Sequence, residues 1–203
     1  MVKYRKIFGE GEFHLTNEVK YLPQIVTKHY TLRGLEETDA EALFPILSNK
    51  KTMAFITPHP VNTLTELKES VAESRQKFQR SEELPWVITA NSTEEVIGLF
   101  RFHKLNLWHK KAEMGAVIRS DRQGTGVMTE VLPAVLICGF KNFNLNRIVG
   151  DIFADNKGSQ KLLEKYGFHK EGTLRQTDFD GHKYHDTVVY SLLKAEFEKL
   201  NTY

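Results

Sequence analysis

Apolar and polar positions change their period repeatedly along this chain, and each change predicts an element. Tyr30, Leu32 and Gly34 alternate with polar neighbours, which predicts a strand over 29–35. Thr38 stands at a capping position for a helix opening at 38–43, with Glu41 at the capping-box position, and Leu47-Ser48-Asn49 closes it. Leu64, Leu67, Val71 and Phe78 recur at helical spacing through a charged segment, which predicts an amphipathic helix over 63–80. Two apolar runs, 84–90 and 96–105, predict strands joined by a turn at Asn91-Ser92-Thr93, and 111–119 predicts a third. The long apolar run 127–143 reads as a helix. Pro133 removes one of its hydrogen bonds and predicts a kink. A strand over 147–153, a helix over 156–166 and a strand pair over 168–176 and 184–193 follow. The order βααβββαβαββ is that of a mixed α/β domain. Residues 1–28 read as an N-terminal extension, with a turn or short hairpin near 8–15, and 29–203 as the domain itself.

Composition narrows the picture. A chain of 203 residues fits one domain, and 40% hydrophobic with 27% charged residues is ordinary for a globular protein. A net charge of +2 is too small to imply nucleic-acid binding by electrostatics. The single cysteine, Cys138, excludes an internal disulfide and sits in an apolar helical segment, where it reads as packing. The first residues show no signal-peptide pattern, and no run approaches a membrane span, so the expected location is cytoplasmic, without membrane or direct nucleic-acid contact.

Candidate chemistry centres on Gln123-Gly124-Thr125-Gly126-Val127-Met128-Thr129-Glu130, between a predicted strand and a predicted helix. A glycine turn at a helix start offers free backbone N–H groups at the positive end of the helix dipole, which suits phosphate. The same pair of glycines also serves an ordinary helix-entering turn. The dinucleotide fingerprint is excluded because Thr129 stands where its third glycine belongs, and the P-loop because no Gly-Lys-Ser/Thr follows.

Further motifs follow in order: Ala112-Glu113-Met114-Gly115-Ala116 before the turn, Asn156 and Ser159 after it, then Leu163-Glu164-Lys165-Tyr166-Gly167-Phe168. Together with the turn they resemble the GNAT superfamily of N-acetyltransferases, and within it the RimJ/RimL-like branch that acetylates ribosomal-protein N-termini. That branch tends to read A-E-I-G-Y, W-G-K-G-Y-A-T-E, N-x-x-S and L-E-K-L-G-F. The tail 180–190 looks like its closing hairpin, and the resemblance covers roughly residues 29–195.

The resemblance implies a mostly antiparallel sheet, splayed at its middle and flanked by helices, with pantetheine bound between the splayed strands. It implies acetyl-CoA as cosubstrate, held by Ala116, Val117 and Ile118, by the turn Gln123, Gly124, Thr125, Gly126, Val127, Met128 and Thr129, and by Asn156 and Ser159. No metal is expected. Glu113 is the candidate proton acceptor, and Ser159 the candidate donor to the departing thiolate. Glu113 also fits a solvent-facing strand carboxylate, Asn156 a simple helix cap, and Ser159 an exposed helix serine. The acceptor is a primary amine, on a protein N-terminus or a small molecule, attacked directly by a monomer or homodimer. A non-catalytic acyl-CoA-binding module is the alternative.

Two departures favour that alternative. Met128 occupies a position where relatives hold a small residue, so its side chain must lean away from the pyrophosphate. Leu163 stands where many GNAT enzymes place an acidic tyrosine, and Tyr166 lies on another helix face. Elsewhere, His182, His185 and Asp186 converge on a metal only if the chain turns between them, and Tyr184 or His185 fits an acceptor-pocket role better. The run 75–80 reads as a wet helix face, His109-Lys110-Lys111 as a solvated turn, and Trp86 and Trp108 as packing residues.

Overall fold

The computed structural model describes residues 19–200. In chain order the elements are β1 (Ile25–Val26), β2 (Tyr30–Gly34), α1 (Asp39–Leu47), α2 (Lys50–Met53), α3 (Leu64–Gln79), β3 (Leu84–Ala90), β4 (Val96–Asn106) and β5 (Lys111–Ile118). Then come α4 (Val127–Ile137), β6 (Arg147–Phe153), α5 (Lys157–Lys165), β7 (His169–Phe179), β8 (Tyr184–Leu193) and α6 (Lys194–Leu200). The strands form one sheet in the order β1-β2-β3-β4-β5-β6-β8-β7, antiparallel except where β5 meets β6. The mixed α/β architecture expected from the sequence is therefore present.

Alternation along the strands sends side chains to two layers. On one face Trp86, Phe100, Phe102 and Ile148 pack with Val131, Val135 and Phe140 from the α4 segment. On the other, Val87 packs with Leu43 of α1 and Leu67 and Val71 of α3. Trp86 is fully buried and its indole donates to the Pro23 carbonyl at 2.8 Å, so the packing role expected of it holds. Cys138 is buried as expected, and burial pushes its thiol up to about 12.

Several local expectations change. Thr38 makes no side-chain cap; Asp39 instead accepts from the Glu36 N–H at 2.8 Å and from both Arg33 guanidinium nitrogens at 2.8 and 2.6 Å. A buried carboxylate meeting a bidentate guanidinium outcompetes a lone hydroxyl. The helix expected over 127–143 is α-helical only to Ile137, and a π turn (Cys138–Asn142) continues it. β1, α2 and α6 are too short to leave a periodic signal and were not anticipated. Residues 25–26 of the expected extension pair with β2, which ties that part of the segment into the sheet. The turn or hairpin expected near 8–15 lies outside the described residues. Trp108, expected to pack, is 81% exposed at the tip of the β4–β5 hairpin.

Candidate active site

β5 and β6 run parallel but stay together only briefly. Lys111, Ala112 and Glu113 register with Arg147, Ile148 and Val149, and no further pairs follow. Beyond this vertex, 114–118 and 150–153 diverge, and the β5 edge that faces β6 is left without a ladder partner. An extended ligand amide could add there as a strand would. The cleft opens toward the C-terminal end of β5, which leads into the glycine turn.

The turn is braced by its own side chains. The Gln123 amide donates to the Ile118 carbonyl at 2.9 Å, and the Thr125 hydroxyl donates to the Arg122 carbonyl at 2.7 Å. Arg119 binds both Asp121 and Glu95, and these partners push its guanidinium pKa further up. Gly124 and Gly126 adopt φ of 72° and 94°, in the left-handed region that only glycine enters without strain. Gly126 precedes α4, and no side chain caps that helix. The first-turn N–H groups, which have no intrahelical acceptors, therefore face outward. Met128 is partly buried and packs against the core.

α4 is positioned by contacts at its first turns. Glu130 accepts from the Thr27 hydroxyl at 2.6 Å and from the His29 N–H and ring at 2.7 Å each. Desolvation opposes its charge, but these donors outweigh it and hold the carboxyl below its ordinary value. Pro133 has no N–H for the Thr129 carbonyl, and the Tyr166 hydroxyl donates to that oxygen at 2.6 Å.

Two side-chain sets flank the vertex. On the face shared with α1 and α3, a groove of about 710 Å³ is lined by Glu83, Arg101, His103, Lys104, Glu113 and Arg147 among others. Glu113 pairs with Lys104 at 2.7 Å, so its surroundings are polar. His103 lies opposite Glu113 in the strand register, with Nε2 3.6 Å from where a Cβ on Gly115 would stand. Burial, then the nearby Arg101 charge, pushes its imidazole down to about 4. Asp151 shares this face on β6. Burial, then the Glu113 and Asp178 charges, raises its pKa.

On the opposite face, α5 packs over Gly150. A Cβ there would meet Leu163 Cδ1 at 2.8 Å and Met114 Cε at 3.4 Å, so a larger residue would have to push these side-chain ends aside. Leu163 is thus a packing residue at the vertex. Ser159 lies one helical turn earlier on the same side, and among the described residues its hydroxyl makes no hydrogen bond. Asn156 caps α5 by accepting from the Ser159 N–H at 3.1 Å. Glu113 and Ser159 therefore lie on opposite sides of the sheet, and Ala116, Val117 and Ile118 belong to the part of β5 that does not pair with β6.

A splayed sheet of this order beside an uncapped glycine turn meets a direct match in sequence. Residues 29–169 match the family described as the acetyltransferase (GNAT) domain. The chain belongs to the GNAT acetyltransferase family. It is an acetyl-CoA-dependent acetyltransferase, as that membership implies. It is 33% identical over 172 residues to the uncharacterised N-acetyltransferase YoaA of Bacillus subtilis, covering 85% of this chain and 97% of the relative. Among solved structures, the Vibrio cholerae spermidine N-acetyltransferase with CoA and spermine superposes with a TM-score of 0.76 at 25% identity, over 83% of this chain and 98% of that one. RimL, a ribosomal L7/L12 α-N-protein acetyltransferase solved with coenzyme A, shares the fold with a TM-score of 0.76 at 23% identity, over 83% and 96%.

Asp151 was missed from sequence. Its signal was present: the only carboxylate in Arg147-Ile148-Val149-Gly150-Asp151-Ile152-Phe153, two positions from Val149 and so on the same face. The bend of the β7–β8 hairpin falls at Gly181 and His182, ahead of His185 on β8, and His185 Nε2 meets Asp180 at 2.6 Å while its ring stacks on Phe153 at 5.4 Å. Among the described residues no three His, Cys, Asp or Glu side chains group to hold a metal, and no helix is long and apolar enough to cross a membrane.

Proposed function

We propose that the chain transfers the acetyl group of acetyl-CoA directly to a primary amine, on a protein N-terminus or a small molecule, within a ternary complex. The observation that carries this reading is the vertex after Glu113 and Val149, where a cleft between unpaired strands runs into an uncapped glycine turn. The N–H groups of the turn and of the first turn of α4 bind the pyrophosphate. Ala116, Val117 and Ile118 bind the pantetheine arm through their backbone, and the Asn156 amide reaches it from α5. The β5 edge supports polarisation of the thioester carbonyl by a backbone N–H.

The acceptor amine approaches from the groove. It must be neutral to attack, and an α-amine has an ordinary pKa near ~8. Glu113, with Asp151 beside it, accepts the amine proton through water. The nitrogen lone pair forms the C–N bond, the C–S bond breaks, and the sulfur leaves with the bonding pair. Ser159 donates to that sulfur from the opposite face, which matches the two-sided placement of Glu113 and Ser159. Coenzyme-dependent thiol release with a panel of amines and N-terminal peptides tests the reading. Binding of acetyl-CoA without release for any amine would favour an acyl-CoA-binding module instead.

A further inference from the structure

Trp108 is the most exposed large apolar side chain among the described residues, at 81%. The turn that presents it is firmly built. Asn106 accepts from the His109 N–H at 2.8 Å, and the Lys110 carbonyl accepts from the N–H groups of Asn146 and Arg147 at 2.6 and 3.1 Å. Lys110 holds φ of 50°, a conformation that non-glycine residues adopt rarely. The base of the same hairpin lines the groove: Lys104, Asn106 and Lys111 border it together with Glu113. An exposed indole on a fixed turn, continuous with the acceptor groove, is a contact surface for something longer than an amine.

Charge indicates what that is. The carboxylates of the groove are already engaged: Glu113 by Lys104 at 2.7 Å, Glu83 by the Ser74 hydroxyl at 2.7 Å, and Glu82 by Arg80 at 3.0 Å. Lys110 and Lys111 have no carboxylate partner among the described residues. Among the described residues, a polyamine would meet a single unpaired carboxylate on this face, Asp151, with Arg101, Lys104, Lys111 and Arg147 lining the groove around it. A nucleic acid would bring phosphates against Glu82, Glu83 and Glu113. A polypeptide avoids both conflicts when its terminal amine enters beside Glu113 and its acidic side chains lie on the hairpin lysines, with Trp108 supplying an amphipathic platform.

We infer that the β4–β5 hairpin is a docking surface for the acceptor polypeptide, and that it selects acidic residues following the N-terminus over basic ones. This rests on the acetyl-transfer reading for the amine's position, but its test does not depend on turnover. The full chain with CoA bound, which has no acetyl group to transfer, is titrated calorimetrically with a short peptide whose free N-terminus is followed by glutamates, with the lysine analogue, and with oligouridylate. The glutamate peptide should bind about tenfold tighter than the lysine peptide. Trp108→Ala and the pair Lys110→Glu, Lys111→Glu should each weaken it by about tenfold. Both sites are exposed, and a thermal melt checks that the variants fold. Equal or tighter binding of the lysine peptide, unchanged binding by either variant, or no peptide binding at all overturns the inference. Tighter binding of oligouridylate would reassign the hairpin to nucleic acid. Peptide binding without thiol release would instead count against acetyl transfer and leave the docking surface standing.

Discussion

The Tyr166 hydroxyl donates to the Thr129 carbonyl at 2.6 Å, the same oxygen that Pro133 leaves without a helical donor. The residue that ends α5 thereby completes the first turns of α4, the helix that follows the glycine turn. Tyr166→Phe should cost about 1 kcal/mol of stability, the net value of one hydrogen bond, read as a lower melting temperature. Pro133→Ala restores a helical donor to Thr129, so the cost of Tyr166→Phe should shrink in that background. A double-mutant cycle that is additive would separate the two residues.

Gly126→Ala isolates the backbone contribution of the turn. A Cβ at Gly126 would meet no atom within 4 Å, so the substitution acts only through φ of 94°. The strain is about 1–2 kcal/mol, and relaxing it reorients the N–H groups ahead of α4. Acetyl-CoA affinity should fall about tenfold, measured by titration. Unchanged affinity would mean that the turn does not carry the pyrophosphate.

His103 makes stability depend on pH. Burial, then Arg101, lowers its pKa from 6.5 to about 4, so the unfolded chain binds the proton more readily between those values. The stabilisation is present above pH 6.5 and is lost as pH falls toward 4. His103→Gln should flatten the acid limb of a melting-temperature profile over that window. A profile that keeps its slope would assign it to other groups.

Glu113→Gln and Ser159→Ala separate chemistry from binding. Each should lower turnover by about 10²-fold with acetyl-CoA affinity nearly unchanged. The loss of the Lys104 partner on the Glu113 side is a largely exposed contact and should cost less than about 1 kcal/mol. Asp151→Asn should lower turnover as well, because Asp151 shares the Glu113 face and its carboxyl is shifted toward the basic range a proton acceptor needs. Turnover equal to the parent in all three would remove the proposed proton path.

What was legible in the sequence was what period and turn chemistry encode. The strands over 84–90 and 96–105, their turn at Asn91 and the glycine turn before α4 all follow from local pattern, and they stand where expected. What was hidden depends on neighbours distant in sequence. The divergence of β5 and β6 after Glu113 leaves no periodic trace, because 114–118 and 148–150 are unbroken runs without polar residues on which no alternation can be read. Trp108 reads as core by residue type, and only the hairpin geometry reveals it as surface. Asp39 displaced Thr38 at the start of α1 because Arg33, across a turn, supplies a charged fork that local capping rules omit. Gly150 carries no local signal, and only the fold brings Leu163 against it.

The central claim is that the cleft beyond Glu113 and the turn at Gly124 to Thr129 hold one ligand, acetyl-CoA. Calorimetric titration of the full chain with acetyl-CoA, with ATP as the control, tests it most directly. Saturable one-to-one binding of acetyl-CoA and none of ATP is the predicted result. Absence of acetyl-CoA binding, or equal binding of ATP, would contradict it.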